Sequence, residues 1–314
     1  MTSPDQPPRC GVEIEFSGLT AHEAAHVIAS AIGGRVEETG RHAALLRGSA
    51  LGDLKFMLDT RYAEPAKDPG VIDNLLDAFD MRDDAAGLLK EVLPVPVEMI
   101  TPPLQMHDFE TLDHVIATLR EAGATGAEGG TFHAFGLHLN PELQGGAERA
   151  IRIAAAYAFA ERWLRHRNPP DMARRLSPFV DVYPEAYVLA LARAFETAPP
   201  GLPDFLALYA QHNPDRNHGL DLWPLLGWLA PEAAEAAHGK PVKNPRPAFH
   251  YRLPDSLLGE TEWSPRADLE RWLAIERVAD DPAAFERLRA AAEGIATGRI
   301  AWGDYLREAE AVLG

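Results

Sequence analysis

Cysteine is almost missing from this chain of 314 residues: Cys10 stands alone, so no intrachain disulfide can form, which suits a reducing compartment. Long hydrophobic runs are missing too. The most apolar stretch, AIRIAAAYAFAERWLRHR, is broken by Arg152 and Glu161 and cannot span a bilayer. The opening MTSPDQPPRC lacks the apolar segment of a secretory signal, so a cytoplasmic protein with no membrane partner is expected. Basic charge is scarce, with 30 Lys and Arg against 47 Asp and Glu and a net charge of -17. That balance argues against nucleic acid as a partner and is compatible with metal ions, amines or a magnesium-neutralised nucleotide. No G-x-x-x-x-G-K-[ST] occurs, so a nucleotide would have to be held without a P-loop. There is no internal repeat and no low-complexity tract, and nothing in the residues indicates an oligomeric state.

What is present is an ordinary globular balance, 46% apolar and 25% charged, long enough for a sizeable core. From Arg9 to about Leu143, strand-like runs alternate with helical ones. GVEIEF precedes a helix expected at Ala21–Ile32. DLKFMLD reads as a second strand, VIDNLLDAFD as helical, and VPVEMITPP as a third strand that its prolines end. A helix near Phe109–Ala122 leads into GATGAEGGTFHAFGLHLNPEL, whose GATGAEGG follows a helix and so reads as a flexible connector, not a phosphate-cradling loop, with another strand after it. From Ala147 to about His238 apolar residues recur at helical spacing, with helices expected at Tyr183–Phe195, Pro203–Gln211 and Leu220–Leu229. After the basic connector HGKPVKNPRP, AFHYRLPD reads as a returning strand, followed by helices at Arg266–Arg277 and Pro282–Ala296. The expectation is a single catalytic domain of α+β class, with a sheet-forming half over 9–146, a helical insertion over 147–240, and the returning strand and last helices over 241–314.

Two metal-binding patterns lie side by side in GVEIEFSGLTAHEAAH. HEAAH has the spacing of zinc proteases, two histidines one helical turn apart with a glutamate between. The same letters also form a helix start: Thr20 and Glu23 make a capping box. The apolar stripe Ala24, Val27, Ile28, Ala31 and Ile32 then leaves His22 and His26 near the polar side. No third zinc ligand suggests itself.

The strands carry the stronger pattern. Side chains two apart share a face, so Glu13 and Glu15 oppose Val12, Ile14 and Phe16, with Cα atoms roughly 7 Å apart. In LKFMLD, Asp59 falls opposite Leu54, Phe56 and Leu58. VEMITPP offers Glu98, FGLHLN offers His138 and Asn140 opposite Leu137 and Leu139, and FHYRL offers His250 and Arg252 opposite Phe249 and Tyr251. Laid side by side, one face would pack under helices. The other would gather Glu13, Glu15, Asp59, Glu98 and His138, with Arg252 nearby. Carboxylates so crowded need cations, and oxygen ligands with one imidazole suit magnesium or manganese.

Taken together, GVEIEF, VEMITPPL, FGLHLN, DRNHGLDLWPLLGWL and RPAFHYRLPD, in this order over about Arg9 to Glu276, resemble the amidoligase family, relatives of glutamine synthetase and glutamate–cysteine ligase in the carboxylate–amine ligase superfamily. The resemblance implies a curved antiparallel sheet of the glutamine-synthetase catalytic-core type and an ATP- and Mg2+- (or Mn2+-) dependent carbon–nitrogen ligase. It implies an acyl phosphate formed from a small-molecule or peptide carboxylate, then attack by an amine. By position, Glu13, Glu15, Glu98 and His138 match metal ligands, and Asp59 is placed with them by strand alternation alone. Glu98 and Arg252 would carry the catalytic roles. Arg246, Arg252, Asn140 and His250 would meet the nucleotide, and Arg216 and Asn217 the substrate. Asn140 stands where many relatives repeat a histidine. Two alternatives stay open: an HExxH zinc metalloprotease, and a binding protein that keeps the ligase fold without turnover.

Overall fold

The computed structural model describes residues 8–58, 95–129, 133–176 and 180–314. It is a mixed helix-and-sheet protein built on one open six-stranded sheet: β1 (Cys10–Phe16), β2 (Arg35–Gly40), β3 (Ala43–Ser49), β4 (Gly52–Leu58), β5 (Val97–Ile100) and β6 (Leu137–Pro141). The order is β2-β3-β4-β5-β1-β6, with every neighbouring pair antiparallel. The register puts Ile14 beside Met99 and Leu137, and Met99 beside Phe56, so one face is an unbroken apolar layer.

Helices α1 (Ala21–Ile32) and α2 (Phe109–Glu121) pack together, and α1 lies against β3 and β4. The Thr20–Glu23 capping box starts α1 at the expected residue. The stripe it buries is Ala21, Ala24, Ala25 and Ile28, one position round from the expected one, while Val27, Ala31 and Ile32 stay half-buried. In α2, Phe109, Leu112, Val115, Ile116 and Leu119 are buried at helical spacing.

Helix α3 (Ala147–Arg167) is apolar around most of its circumference and correspondingly central. The helices that follow are α4 (Met172–Leu176), α5 (Glu185–Ala194), α6 (Leu202–His212), α7 (Trp223–Leu229), α8 (Pro231–His238), α9 (Pro265–Asp280), α10 (Pro282–Ala296) and α11 (Trp302–Leu313), of which α5, α6, α9, α10 and α11 pack against α3. Tyr251 packs edge-on against Tyr157 of α3 and tilted against Trp272 of α9, which ties this helical layer to the sheet.

Three expectations change. AFHYRLPD is not a regular strand but a run of isolated bridges, Ala248, Tyr251 and Asp255 to β6 and its flanks. Pro247 and Pro254 have no N–H, and Arg252 donates its amide to Gly219 on the other side, so the ladder with β6 is intermittent. For the same reason the helix expected from Leu220 begins at Trp223: Leu220 bridges Tyr251, and the Asp221 amide donates to His250. Within the connector, residues 123–128 are pinned, not free. Thr125 bridges Ser17, Ala127 donates to Ser256, and Glu128 accepts from Gly126 and Gly259. The β2–β3 hairpin was not expected, nor were α4, α8 and α11. The helix read in VIDNLLDAFD lies outside the described residues, as does Asp59. No helix among the described residues is long and apolar enough to cross a membrane.

Candidate metal and anion cleft

The face of the sheet opposite α1 and α2 carries the polar residues. Glu13 of β1 sits beside His138 of β6, and Glu15 beside Glu98 of β5. The prolines of VEMITPP cannot extend the β5–β1 ladder. Thr101 continues it, its amide donating to the Val12 carbonyl and its hydroxyl accepting the Val12 amide. That pairing sets Glu98 against Glu15.

One imidazole stands among three carboxylates. His138 Nδ1 is 3.0 Å from Glu13 Oε2 and 3.9 Å from Glu98 Oε1, and Nε2 is 3.8 Å from Glu15 Oε1. Asn140 donates to Glu13 Oε1 at 2.9 Å and accepts from Arg246 at 2.6 Å, linking the acidic floor to a cation. Glu15 accepts the Gly136 amide at 2.7 Å. A side chain at Gly136 would meet His138 Nε2 at 3.1 Å and Arg174 at 3.0 Å, so glycine leaves the imidazole its room. Arg174 is buried and donates to the carbonyls of Arg252, Leu253 and Pro254 and to Asp255, bracing the returning segment from behind.

Burial pushes the His138 imidazole below its ordinary value, and the Glu13 hydrogen bond opposes this only in part. Burial also works against the charge of Glu13. The His138 hydrogen bond first, and then the charge of Arg246, outweigh it and hold Glu13 well below the usual carboxylate range. The pair is therefore an ionised carboxylate accepting from a neutral imidazole at neutral pH. Burial takes His250 down to about 3, against the pull of Asp221. Asp221 is brought down to about 2, because the His250 hydrogen bond and the Arg216 charge outweigh its burial.

Above this floor opens a cleft of about 610 Å³, within the usual range for small-molecule sites. Glu13, Glu98, Asp221 and His250 line it below, and Arg216, Lys240, Lys243, Arg246 and Arg252 supply five cations around it. Asn217 also lines it, while Met57 and Ile100 add an apolar patch. Glu13, Glu98, Arg216, Asn217, Arg246, His250 and Arg252 thus come to one cleft from distant parts of the chain. Glu15, His138 and Asn140 lie buried against its floor.

Sequence reasoning missed Asp221, Lys240, Lys243 and His238. The signal for the lysines was their rarity: of five in the chain, Lys55, Lys67, Lys90, Lys240 and Lys243, two stand three positions apart in HGKPVK. That for Asp221 was a charge set between Leu220 and Leu222.

Two trios each bring one ligand atom per residue within 4.8 Å of the others: Glu13, His138 and His250, and Glu15, Glu98 and His138. Oxygen ligands bind magnesium or calcium at about 2.0–2.6 Å, which draws neighbouring donors to within about 5 Å of one another. The donor sets therefore fit a divalent cation. The HEAAH histidines belong to neither trio. His22 Nε2 lies 2.9 Å from the Gly40 carbonyl and 3.1 Å from that of Ala43, and His26 is exposed.

A family model described as "putative amidoligase enzyme" matches residues 6–274. Neither a curated protein nor a solved structure matches the chain.

Proposed function

The chain belongs to the amidoligase family, and from that premise we propose that it is an ATP- and divalent-metal-dependent ligase joining a carboxylate to an amine. One observation carries the reading: carboxylates and an imidazole from β1, β5 and β6 meet beneath a cleft whose rim is cationic. Acids below and cations above suit a ligand that is itself anionic and arrives with metal, as a nucleoside triphosphate does. The antiparallel sheet with its acids on one face is read as a catalytic core of the glutamine-synthetase type. The helical stretch over 147–240 supplies Arg216, Asn217 and Asp221 to the cleft, so it is read as part of the same catalytic unit.

Glu15, Glu98 and His138 would hold one magnesium or manganese ion; a neutral imidazole offers a single lone pair, so a second ion would rest on Glu13 and His250. Such ions, when bound, neutralise phosphate oxygens and align them with an attacking group. Arg252 and Arg246 hold phosphate through their forked donors, and Arg252 stabilises the charge that grows on the transferred phosphoryl group. Arg216 and Asn217 orient the acid. Its carboxylate oxygen attacks the γ-phosphorus and the bond to the β-phosphate oxygen breaks, leaving ADP and an acyl phosphate. The amine nitrogen then attacks the acyl carbon, phosphate leaves, and the amine gives up a proton. His138 stays neutral throughout, held so by burial.

The test is magnesium-dependent conversion of ATP to ADP and phosphate across a panel of acids and amines. Glu13→Gln should cut turnover at least about a hundredfold; its NH2 would face a donor of His138 or Asn140, so some stability is lost, and circular dichroism establishes that the assayed variant is folded. A Glu13→Gln enzyme as active as wild type would remove this site from the chemistry.

A further inference from the structure

Asp221 is wholly buried, and three nitrogens, two of them fixed N–H donors, surround its carboxylate. Oδ2 accepts from Arg216 Nε at 2.7 Å and faces His250 Nδ1 at 3.3 Å, and Oδ1 accepts the Trp223 amide at 3.1 Å. Its own amide donates to the His250 carbonyl at 3.0 Å, so side chain and backbone grip the same histidine. An ionised carboxylate can only accept, which puts the His250 proton on Nδ1. Nε2, with its lone pair, is then the nitrogen left for the Glu13–His138 cluster, where a His250 ligand atom lies within 4.8 Å of one from each. Arg216 in turn accepts Arg252 Nη1 on its carbonyl at 2.6 Å, so the same carboxylate steadies both arginines of that wall.

No other side chain of this size could do this. An asparagine with its oxygen toward Arg216 and His250 would set its NH2 against the Trp223 amide. Turned over, it would set NH2 against Arg216 and offer a donor to His250 Nδ1, moving the imidazole proton to Nε2 and closing that nitrogen to a cation.

We propose that Asp221 is a positioning residue that fixes the tautomer of His250, so that an unprotonated Nε2 faces the cleft for a divalent cation, while it holds Arg216 against the same wall. This rests on the reading of the cleft as a cation and nucleotide site. Its action is through His250 and Arg216, in the way that a carboxylate behind a ligating imidazole sets its orientation and basicity.

Two measurements on the full chain test it. Long-range 1H–15N correlation spectra with 15N-labelled histidine read each tautomer without any metal, and His250→Gln assigns the His250 signals. The expected result is Nδ1–H in the wild type and a shift toward Nε2–H in Asp221→Asn. Mn2+ titration followed by electron paramagnetic resonance should show affinity falling about tenfold or more in Asp221→Asn and in His250→Gln. The double variant should be no weaker than the weaker single one. A wild-type His250 protonated on Nε2 overturns the proposal, even if Asp221→Asn does not fold. So does wild-type Mn2+ affinity in a folded Asp221→Asn, or losses that simply add, with the cation reading left standing. A wild type that binds no Mn2+ overturns the cation reading and the proposal together.

Discussion

Acidification should unfold this protein through its buried imidazoles before its carboxylates. His250 ordinarily takes a proton near 6.5, but burial in the fold holds it down to about 3. His138 is lowered in the same direction for the same reason. Below pH 6.5 the unfolded chain gains protons that the folded one refuses. The stability from keeping these rings neutral is therefore full above about 6.5 and is lost progressively as pH falls toward the folded value. For His250 this costs about 1.36 kcal/mol per pH unit, or about 2.7 kcal/mol between pH 6.5 and 4.5, and His138 acts in the same direction. Set against a typical total of about 5–15 kcal/mol, the His250 contribution alone is a large fraction. Asp221 and Glu13, both lowered carboxylates, act in a lower window, with losses that begin near their ordinary values of 3.8 and 4.5. Above 4.5 the buried Asp268, raised to about 6 by burial, acts with the opposite sign, so the difference between wild type and His250→Gln is what isolates the histidine. Urea unfolding followed by circular dichroism, in EDTA at about pH 7.5, 6.5, 5.5 and 4.5, reads the dependence. His250→Gln should be less stable than wild type at pH 7.5, because Asp221 loses a partner, yet its stability should fall by about 2.7 kcal/mol less on the way to 4.5. Parallel curves for the two proteins would refute the claim that His250 is neutral through burial.

Gly136→Ala should weaken the site more than the fold: its methyl group would lie 3.1 Å from His138 Nε2 and 3.0 Å from Arg174. A stability loss of about 1–3 kcal/mol is expected by urea unfolding, with a much larger proportional fall in Mn2+ affinity; unchanged Mn2+ binding would show that the imidazole has slack. The HEAAH pair should behave as helix furniture. His22→Ala and His26→Ala, together, should leave the zinc content of the purified protein and ATP turnover unaltered, and cost about 0.5–1.5 kcal/mol through the lost carbonyl bonds of His22. Stoichiometric zinc that disappears in the double variant would revive the protease alternative.

The floor of the cleft was legible because strand periodicity is strict. Once Val12, Ile14 and Phe16 face the core, Glu13 and Glu15 must face away, and the same holds for His138 between Leu137 and Leu139. Which strands would be neighbours was not legible from alternation. That came from pairing across roughly a hundred residues, such as Glu13 beside His138. The β2–β3 hairpin escaped notice because β2 is an edge strand of mostly exposed, charged residues, Arg35, Glu37 and Glu38, with little apolar alternation to read. Lys240 and Lys243 belong to a connector with no periodicity at all. Val242 between them is buried, and Gly227 of α7 leaves room for it, since a side chain there would meet Val242 at 2.7 Å. That docking depends on the path of the chain and not on any local pattern.

Floor and rim therefore differ in what sets their geometry, and the difference bears on function. On the floor, Glu15 and Glu98 stand directly opposite each other in the β1–β5 ladder, a like-charge arrangement that destabilises a sheet by up to about 1 kcal/mol. Slipping either strand by one residue would relieve it, but would turn Ile14 and Met99 out of the core, which is far more costly. The apolar face thus enforces the acidic one. A fold that needed only to be stable could relieve the repulsion with an uncharged amide of the same shape at either position, leaving the apolar face untouched. Local repulsion locked in by global packing, beneath five converging cations, is the pattern expected where charge is kept for a ligand. It predicts that Glu98→Gln, measured by urea unfolding in EDTA, will equal or exceed wild type in stability at neutral pH while losing turnover. A marked loss of stability would mean that Glu98 serves the fold and not the site.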